Sequence, residues 1–495
     1  MKLWAKFKHL FDPRDLTSGS ISKGILVFAF PIILSLFFQQ IYTLTDAAIV
    51  GQTLQEAEIA GVNNTGSLVF AVLQFGFGCT SGFSVIIAEA IGAKNKEKAR
   101  SSFYLQLLLA TIISILLTVL GIVFLPNLLG LLGIHPSSDP YMQQVYESAY
   151  TYLAIIYGGI LCQIIYNLIV ATLRSLGDSF FPFLFLMGST ILNAALDALF
   201  IMVFHMGVAG SAIATIASQG LAAILAYIYA VKRYEVLRFK KDETKFTWKG
   251  VGALLKNGLP LGFQYSILSI GMIVMQASII AFDITLGGEM NPAMPAQLGY
   301  AAACKIINLL MVPLNGLGMA FLSFTAQNFG AKDHIRIKQG LKACTIMATI
   351  SSAIACLIGL LLTIGGAYQY IFLASDKITD QSIAYGNLYL YVSSPSLIFL
   401  GILFLFRCAI QGLEKPLWPF LAGVAELIVR ILICTLLPAI IAGGPIHADV
   451  GTLPFLGAVL GDPLAWISGP IIMGIPLILT LKNLGKDETE ENPDA

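Results

Sequence analysis

Charged residues are scarce in this sequence of 495 residues. Asp, Glu, Lys and Arg make up 12% of it, against roughly 25% in ordinary globular domains. Hydrophobic residues make up 57%. Because so few polar side chains cannot cover so much apolar surface in water, the composition excludes an array of soluble domains and favours a chain that is dissolved in lipid.

Histidines, cysteines and phosphate-binding motifs are also sparse, which argues against several classes of enzyme. The five histidines lie in tails and loops without the spacing of a metal site or a catalytic triad. The seven cysteines lie in apolar stretches without a Cys-x-x-Cys pair, so neither disulfides nor metal clusters are expected. No Gly-x-x-x-x-Gly-Lys-Ser/Thr motif occurs, so ATP hydrolysis is not expected. We expect no enzyme activity and no cofactor, with an intramembrane enzyme as a distant alternative.

Long apolar stretches take the place of these motifs. Each is long enough, at roughly 20 residues, to cross a hydrocarbon core about 30 Å thick. Each should be helical, because an unpaired backbone amide is costly in hydrocarbon. The twelve predicted spans are 24–49, 66–90, 103–127, 148–171, 180–204, 207–231, 258–282, 297–324, 341–365, 384–409, 417–441 and 455–480. The sequence therefore predicts an all-α polytopic membrane protein.

Lys and Arg are concentrated in alternate loops, with Lys377 as the exception on the opposite side. Basic clusters precede the first span and follow the second, sixth and eighth, whereas the loops 131–147, 283–296 and 442–454 carry none. By the positive-inside rule, this asymmetry predicts a multi-pass protein of the cytoplasmic (inner) membrane with both termini cytoplasmic. The formal net charge of +1 gives no reason to expect a nucleic-acid partner. Membrane lipids are the expected surroundings.

The two halves of the sequence resemble each other at an offset of about 238 residues. The aligned pairs are 78–100 with 316–338, 174–183 with 411–420, and Pro31 with Pro260. Halves with an even number of spans enter the membrane in the same orientation, as in transporters with parallel repeats. The predicted organisation is a cytoplasmic N-terminal segment (1–23), an N-lobe of helices 1–6 (24–231), a basic cytoplasmic linker (232–257), a C-lobe of helices 7–12 (258–481) and an acidic tail (482–495).

Three motifs accompany the repeat. They are Pro31…Asp46-x-x-x-Val50-Gly51 in the first span, a Gly-Ala-Lys turn after the second and eighth spans, and Arg174-x-x-Gly177-Asp178-x-x-x-Pro182. Over nearly the whole chain these features resemble the multidrug and toxic compound extrusion (MATE) family. The resemblance implies twelve helices in two pseudo-symmetric six-helix lobes that export a small organic substrate against a sodium or proton gradient. It is closer to the DinF-like branch than to the NorM-like branch, whose acids in the seventh and tenth spans are missing here.

Polar residues within the spans form two groups in the first half. Gln39, Tyr42 and Asp46 lie at i, i+3 and i+7 on one face of the first span, and Asn193 and Asp197 lie at i and i+4 in the fifth. An ionisable group in a span costs about 2.5–3.5 kcal/mol on insertion scales. Two carboxylates cannot both stay charged there unless a cation compensates them, so a bound proton or sodium ion is expected. The alternative is that each polar group only makes an interhelical hydrogen bond.

The resemblance to MATE proteins implies roles for these positions. The implied cation-coupling set, with a possible Na⁺ site, is Asp46, Asn193, Asp197 and Thr215. The implied substrate-binding residues are Gln39, Tyr42 and Asn167, and the implied point of bending is Pro31. An acidic pocket flanked by aromatic residues favours amphipathic organic cations as substrates, with neutral or zwitterionic metabolites as the alternative.

Some interpretations remain open at this point. A lipid-linked oligosaccharide flippase of the same superfamily would share the lobes, although a more basic cavity or further C-terminal spans would be expected. Glu426 and Arg430, at i and i+4 in the eleventh span, favour a structural ion pair over a substrate role. Lys305 either snorkels outward or lines the transport cleft. We expect a monomer.

Overall fold

The computed structural model describes residues 12–374 and 377–491. The side chains at 44, 46–48 and 485–491, and the outer parts of both predicted terminal segments, lie outside this description. Eleven of the described helices are long and apolar enough to cross a membrane, or twelve if one bent pair is a single span. Each of the twelve predicted spans coincides with one of them.

The first half of the chain contributes six spans. They are α1 (Ile21–Thr53), α2 (Glu56–Gly92), α3 (Lys96–Val123), α4 (the bent pair Pro140–Gly158 and Ile160–Ser175), α5 (Phe180–Asp197) and α6 (Gly207–Arg233). The second half contributes α7 (Trp248–Ile280), α8 (Pro295–Gly330), α9 (His334–Leu362), α10 (Asp380–Gly412), α11 (Leu417–Ala442) and α12 (Thr452–Val459 and Gly461–Glu491). Short helices at Leu125–Leu131 and Gln369–Phe372 lie in the connecting segments.

α4 is bent by 45° at Gly159. The backbone N–H of Gly159 donates to the carbonyl groups of Ile155 and Ile156 and ends the first helical segment. A Cβ atom at this position would overlap the side chain of Ile216 on α6. The absence of a side chain at Gly159 therefore lets Ile216 of α6 pack directly against the bend.

Backbone contacts divide the described residues into two compact units. Unit 1 holds the residues up to Ser266 together with Ala326–Asp333, and unit 2 holds Ile267–Thr325 and the residues from His334 onward. In unit 1, α2 packs against α3 and α4, α5 packs against α1 and α6, and the second segment of α4 packs against α6. In unit 2, α10 packs against α9 and α12, and α11 packs against α12.

The internal repeat is visible in the backbone. Lys94 and Lys332 end the aligned Gly-Ala-Lys turns with φ values of 56° and 60°, a left-handed conformation that is uncommon for lysine. The second aligned pair of turns has Gly177 at φ 81° and Glu414 at φ 57°. The same backbone hydrogen bonds close both members of each pair.

Asp178, in the turn between α4 and α5, holds this turn to the end of α6. Its Oδ2 accepts hydrogen bonds from the hydroxyl groups of Tyr229 (3.0 Å) and Tyr234 (2.7 Å), and its Oδ1 accepts one from the backbone N–H of Phe181 (3.2 Å). Burial raises the pKa of Asp178 above its ordinary value, although these hydrogen bonds act in the opposite direction. The motif residue Asp178 thus has a structural explanation.

Residues 12–20 lie against the ends of several helices in unit 1. The backbone N–H of Leu16 donates to Oε1 of Gln327 over 3.2 Å, and Nε2 of Gln327 donates to the carbonyl group of Ser175 over 2.7 Å. Glu89, at the position equivalent to Gln327, forms an ion pair with Lys98. Both polar residues at the equivalent helix ends are therefore engaged in local structural contacts.

Candidate functional site

Three of the four predicted cation-coupling residues meet in unit 1. Asn193 and Asp197 on α5 and Thr215 on α6 are all buried, and the side chain of Asp197 is 0% exposed. In the orientation that satisfies both ends of the Asn193 amide, Nδ2 donates to Oδ2 of Asp197 over 3.0 Å, and Oδ1 accepts from the backbone N–H of Thr215 over 3.2 Å. The same amide lies 3.4 Å from the hydroxyl group of Thr215. We refer to these three residues as the polar cluster.

α5 changes its helical geometry directly after the polar cluster. Asp197 is the last residue of the α-helical part, and a π-helical segment follows at Ala198–Val203. π-helical turns are rare and often occur at functional sites, because they release backbone groups from the α-helical pattern. Hydropathy alone gave no sign of this change.

α1 carries the other predicted site residues. Pro31 lies inside the helix, which continues to Thr53, and the hydroxyl group of Ser35 donates to the Pro31 carbonyl over 2.8 Å. Gln39 is exposed and Tyr42 is half-buried. Asp46 belongs to α1, but its side chain lies outside the described part of the structure. Whether Asp46 joins the polar cluster thus stays a prediction.

α1 and α5 are in direct contact, so the polar cluster and the predicted point of bending lie on neighbouring helices. The rings of Phe38 on α1 and Phe183 on α5 meet edge to face with centroids 5.5 Å apart. Asn167 is half-buried on the second segment of α4, which packs against the helix that carries Thr215. The predicted substrate-binding residues with described side chains therefore lie on helices that adjoin α5 or α6.

A second group of buried charges lies within unit 2. Arg407 on α10 donates to Oε1 of Glu426 on α11 over 2.8 Å, and their side chains are 4% and 2% exposed. Arg430 on α11 donates to Oδ1 of Asp462 on α12 over 2.9 Å. Oδ2 of Asp462 also accepts a hydrogen bond of 2.9 Å from the hydroxyl group of Tyr389. We call these five residues the ion-pair network.

The ion-pair network corrects the pairing expected for Glu426 and Arg430. These residues share a face of α11, but each forms its ion pair with a residue of another helix, Glu426 with Arg407 and Arg430 with Asp462. Asp462 was not singled out, although it lies inside the predicted twelfth span and an acid there was itself a signal. Lys305 is exposed, with its ammonium group 5.1 Å from the centre of the Phe372 ring.

The chemistry of the polar cluster differs from that of a transition-metal site. Among the described residues, no group of three or more His, Cys, Asp and Glu side chains could hold a metal ion. The polar cluster instead offers carboxylate, amide and hydroxyl oxygens, the hard ligands that suit a proton or an alkali cation. In the described part of the chain, eleven membrane-length helices and one bent pair are built on a repeat and enclose buried polar side chains, which defines a polytopic membrane transporter.

The MatE family model matches residues 31–199 and 264–436. Because these two segments cover more than half of the sequence, the chain belongs to this family of multidrug efflux transporters. The two matched segments also reproduce the internal repeat, one in each half of the chain.

Several relatives are similar over most of their length. The probable multidrug resistance protein YpnP of Bacillus subtilis is 28% identical over 327 residues, which cover 65% of this chain and 68% of the relative. The FAD transporter of Shewanella oneidensis is 24% identical over 464 residues, or 91% of this chain and 95% of the relative. The multidrug export protein MepA of Staphylococcus saprophyticus is 25% identical over 400 residues, or 80% and 82%.

Solved structures confirm the fold class. An outward-facing multidrug resistance MATE transporter of the MOP superfamily superposes with a TM-score of 0.81 at 19% identity, covering 95% of this chain and 98% of that one. A MATE crystal structure in a bent conformation gives a TM-score of 0.80 at 20% identity with the same coverage. The predicted fold of twelve helices in two pseudo-symmetric lobes is therefore correct.

Proposed function

We propose that this chain is an antiporter that exports amphipathic, cationic organic compounds in exchange for H⁺ or Na⁺ by alternating access. The observation that carries the proposal is the polar cluster, in which a fully buried carboxylate meets an amide and a hydroxyl group. A neutral amide can donate a hydrogen bond to Asp197 but cannot neutralise its charge. A bound cation can, and its release would leave a costly buried charge, so occupancy of the polar cluster is coupled to conformation.

The arrangement of the amide favours a proton as a participant. In the orientation that satisfies both ends of the Asn193 amide, its nitrogen faces Asp197 and its oxygen faces Thr215. A sodium ion at Asp197 would need that oxygen to turn toward the carboxylate, whereas a proton needs only the carboxylate itself. Should Asp46 join the polar cluster, the two carboxylates would share a proton as one coupled unit.

The neighbouring helices suggest how the cation acts on the substrate. α1 packs on α5, so a change in the polar cluster acts directly on the helix that contains Pro31. We place the substrate against Gln39, Tyr42 and Asn167, with Pro31 allowing α1 to bend as the cation enters. Entry of the cation then expels the substrate from the same lobe.

Neutral isosteric variants test this assignment. Asp197→Asn and Asp46→Asn should each abolish export that is driven by a gradient, while expression and thermal stability stay near those of the wild type. The matched control is Asp139→Asn, since Asp139 is exposed and caps α4 by accepting from the N–H of Met142, a role that asparagine also fills. The control should transport normally. Normal export by Asp197→Asn would mean that the polar cluster only makes interhelical hydrogen bonds and takes no part in coupling.

Everted vesicles separate the exporter from the flippase. The exporter should accumulate a diffusible organic cation and leave a lipid-linked oligosaccharide in its leaflet, and the flippase should do the reverse. FAD belongs in the same panel of compounds, because a relative that aligns with 91% of this chain is named an FAD transporter.

We further propose that the chain performs no catalysis and needs no cofactor. It acts as a monomer in the cytoplasmic membrane and is nearer to the DinF-like branch than to the NorM-like branch. Its lobes are those predicted, 24–231 and 258–481.

A further inference from the structure

The connection between α6 and α7 carries an excess of positive charge. Residues 232–249 are the first part of the predicted linker 232–257 and are here called the basic linker. They contain seven Lys or Arg and three Asp or Glu residues. Lys240 and Lys245 are close to acidic residues of the protein, at Glu235, Glu243 and Glu97. The exposed side chains of Lys241 and Lys249 add to the positive charge that faces outward.

The basic linker is fixed to the first turns of α3. The hydroxyl group of Tyr104 donates to the carbonyl group of Leu237 over 2.9 Å, and the backbone N–H of Lys245 donates to the hydroxyl group of Ser101 over 2.9 Å. Arg100, which is buried, forms an ion pair with Glu243. The basic linker therefore has a defined position on unit 1.

That position is at the edge of an apolar surface. The turns of α3 that follow the attachment expose Leu108, Ile112, Ile115 and Val119 along one side of the helix. An α-helix rises about 1.5 Å per residue, so Leu108 lies roughly 10 Å along the axis from Ser101. Because exposed apolar residues on a membrane-spanning helix face the acyl chains, the basic linker lies at the level of the lipid headgroups.

Aromatic side chains of the basic linker are exposed. Phe239 and Phe246 are exposed, and Trp248 is 89% exposed. The ring of Phe239 rests edge to face on Tyr104 with centroids 5.2 Å apart. Exposed aromatic residues beside cationic ones are typical of protein surfaces that contact the boundary between headgroups and acyl chains.

A cavity of about 290 Å³ adjoins the basic linker. Its lining residues are Ala90, Ile91, Lys94, Asn95, Lys96 and Val236. Val236 belongs to the basic linker, and the two lysines belong to the turn between α2 and α3. The lining is almost entirely apolar and suits the glycerol carbons of a phospholipid, and Lys94 and Lys96 are exposed lysines at its edge.

We propose that the basic linker and this cavity bind an anionic phospholipid of the surrounding bilayer. The phosphodiester lies between Lys94, Lys96 and the cations of the basic linker. Phe239, Phe246 and Trp248 enter the headgroup region beside it, and the acyl chains follow the apolar side of α3. The charge of the surface complements an anionic headgroup and gives no advantage to a zwitterionic one.

Fluorescence of Trp248 tests this site in the full chain. In a variant whose other tryptophans are phenylalanine, Trp248 becomes the single reporter. The changes required are Trp4→Phe, Trp418→Phe and Trp466→Phe. The protein is reconstituted into phosphatidylcholine bilayers in which the same fraction of lipid is either brominated phosphatidylglycerol or brominated phosphatidylcholine. We expect brominated phosphatidylglycerol to quench Trp248 more strongly.

Charge removal provides the matched comparison. The test variant is Lys94→Gln/Lys241→Gln/Lys249→Gln, and the control is Lys332→Gln/Lys338→Gln/Lys342→Gln. Lys332 is the repeat equivalent of Lys94, and all three control residues are exposed. The preference for phosphatidylglycerol should fall on the order of five-fold for each cation removed in the test variant and should persist in the control.

Three results would overturn the proposal. One is equal quenching by the two brominated lipids, and another is a preference that the test variant retains in full. The third is loss of the preference when millimolar inorganic phosphate is added to the protein with an unaltered basic linker. That result would identify a site for free phosphate and not for a lipid.

Discussion

Arg407 and Glu426 illustrate that a buried charge needs a partner of opposite charge. Removing one partner leaves the other charged and enclosed, which typically costs about 3–5 kcal/mol. Glu426→Gln should therefore lower the thermal unfolding temperature in detergent markedly, and the double variant Arg407→Gln/Glu426→Gln should recover most of the loss. Glu147→Gln, a change at an exposed position, should have no effect. Equal unfolding temperatures for the single variant and the wild type would mean that the pair contributes nothing.

The polar cluster shows which side-chain contacts can be predicted from residue spacing and which cannot. The i, i+4 spacing of Asn193 and Asp197 and the short connection to α6 were enough to expect that they meet Thr215, and they do. The direction in which the Asn193 amide points depends on the backbone of α6, and sequence spacing holds no information about it. The partners of Glu426 and Arg430 were missed for a related reason, since they lie on helices distant in the chain.

Among the helices, the end of α2 shows a contact that tolerates only glycine. A Cβ atom at Gly92 would overlap the carbonyl oxygen of Gln327, and one at Gly330 would overlap that of Glu89, so the two backbones touch. Gly92→Ala should force these segments apart and lower both the yield of folded protein and its unfolding temperature. Gly66→Ala is the matched control on the same helix, because nothing lies within 4 Å of the added Cβ.

The control has a definite expectation of its own. Alanine has a higher helix propensity than glycine by about 1 kcal/mol, so Gly66→Ala should leave stability unchanged or raise it slightly. If Gly92→Ala behaved like Gly66→Ala, the close contact at the ends of these segments would be refuted.

Helix positions were predictable because each apolar stretch must be long enough to cross the bilayer. Each of the twelve predicted spans coincides with a helix or with the bent pair. Interruptions within them were not predicted. The 45° bend at Gly159 and the π-helical segment after Asp197 leave the apolar pattern intact. They depend on how α4 and α5 pack against their neighbours, which a hydropathy profile does not record.

At the scale of the whole molecule, the distribution of Lys and Arg makes a prediction about orientation. Single cysteines at Ser138 and Glu147, in a chain whose native cysteines are replaced, should react from outside the cell with a membrane-impermeant thiol reagent. Cysteines at Lys96 and Lys241 should react only after the membrane is permeabilised. All four positions are exposed, so burial cannot account for a difference. Labelling of both sets from outside would refute the predicted topology.

The internal repeat is also a property of the whole molecule. Its offset of about 238 residues predicted equivalent turns in the two halves, and the structure shows them with matching left-handed residues at Lys94 and Lys332. The polar cluster and the ion-pair network, however, occupy different halves and differ in charge. The two halves thus contain different buried polar groups, and the coupling that we propose is placed in the half that contains Asp197.

Gradient-driven transport by the purified protein in proteoliposomes tests the central claim most directly. With only a proton gradient or only a sodium gradient imposed, an organic cation should move uphill and should stop when that gradient is collapsed. By linkage, the saturating cation should weaken substrate binding by the same factor by which substrate weakens cation binding. Substrate movement that continues unchanged with both gradients collapsed would contradict an antiporter and would leave a passive facilitator.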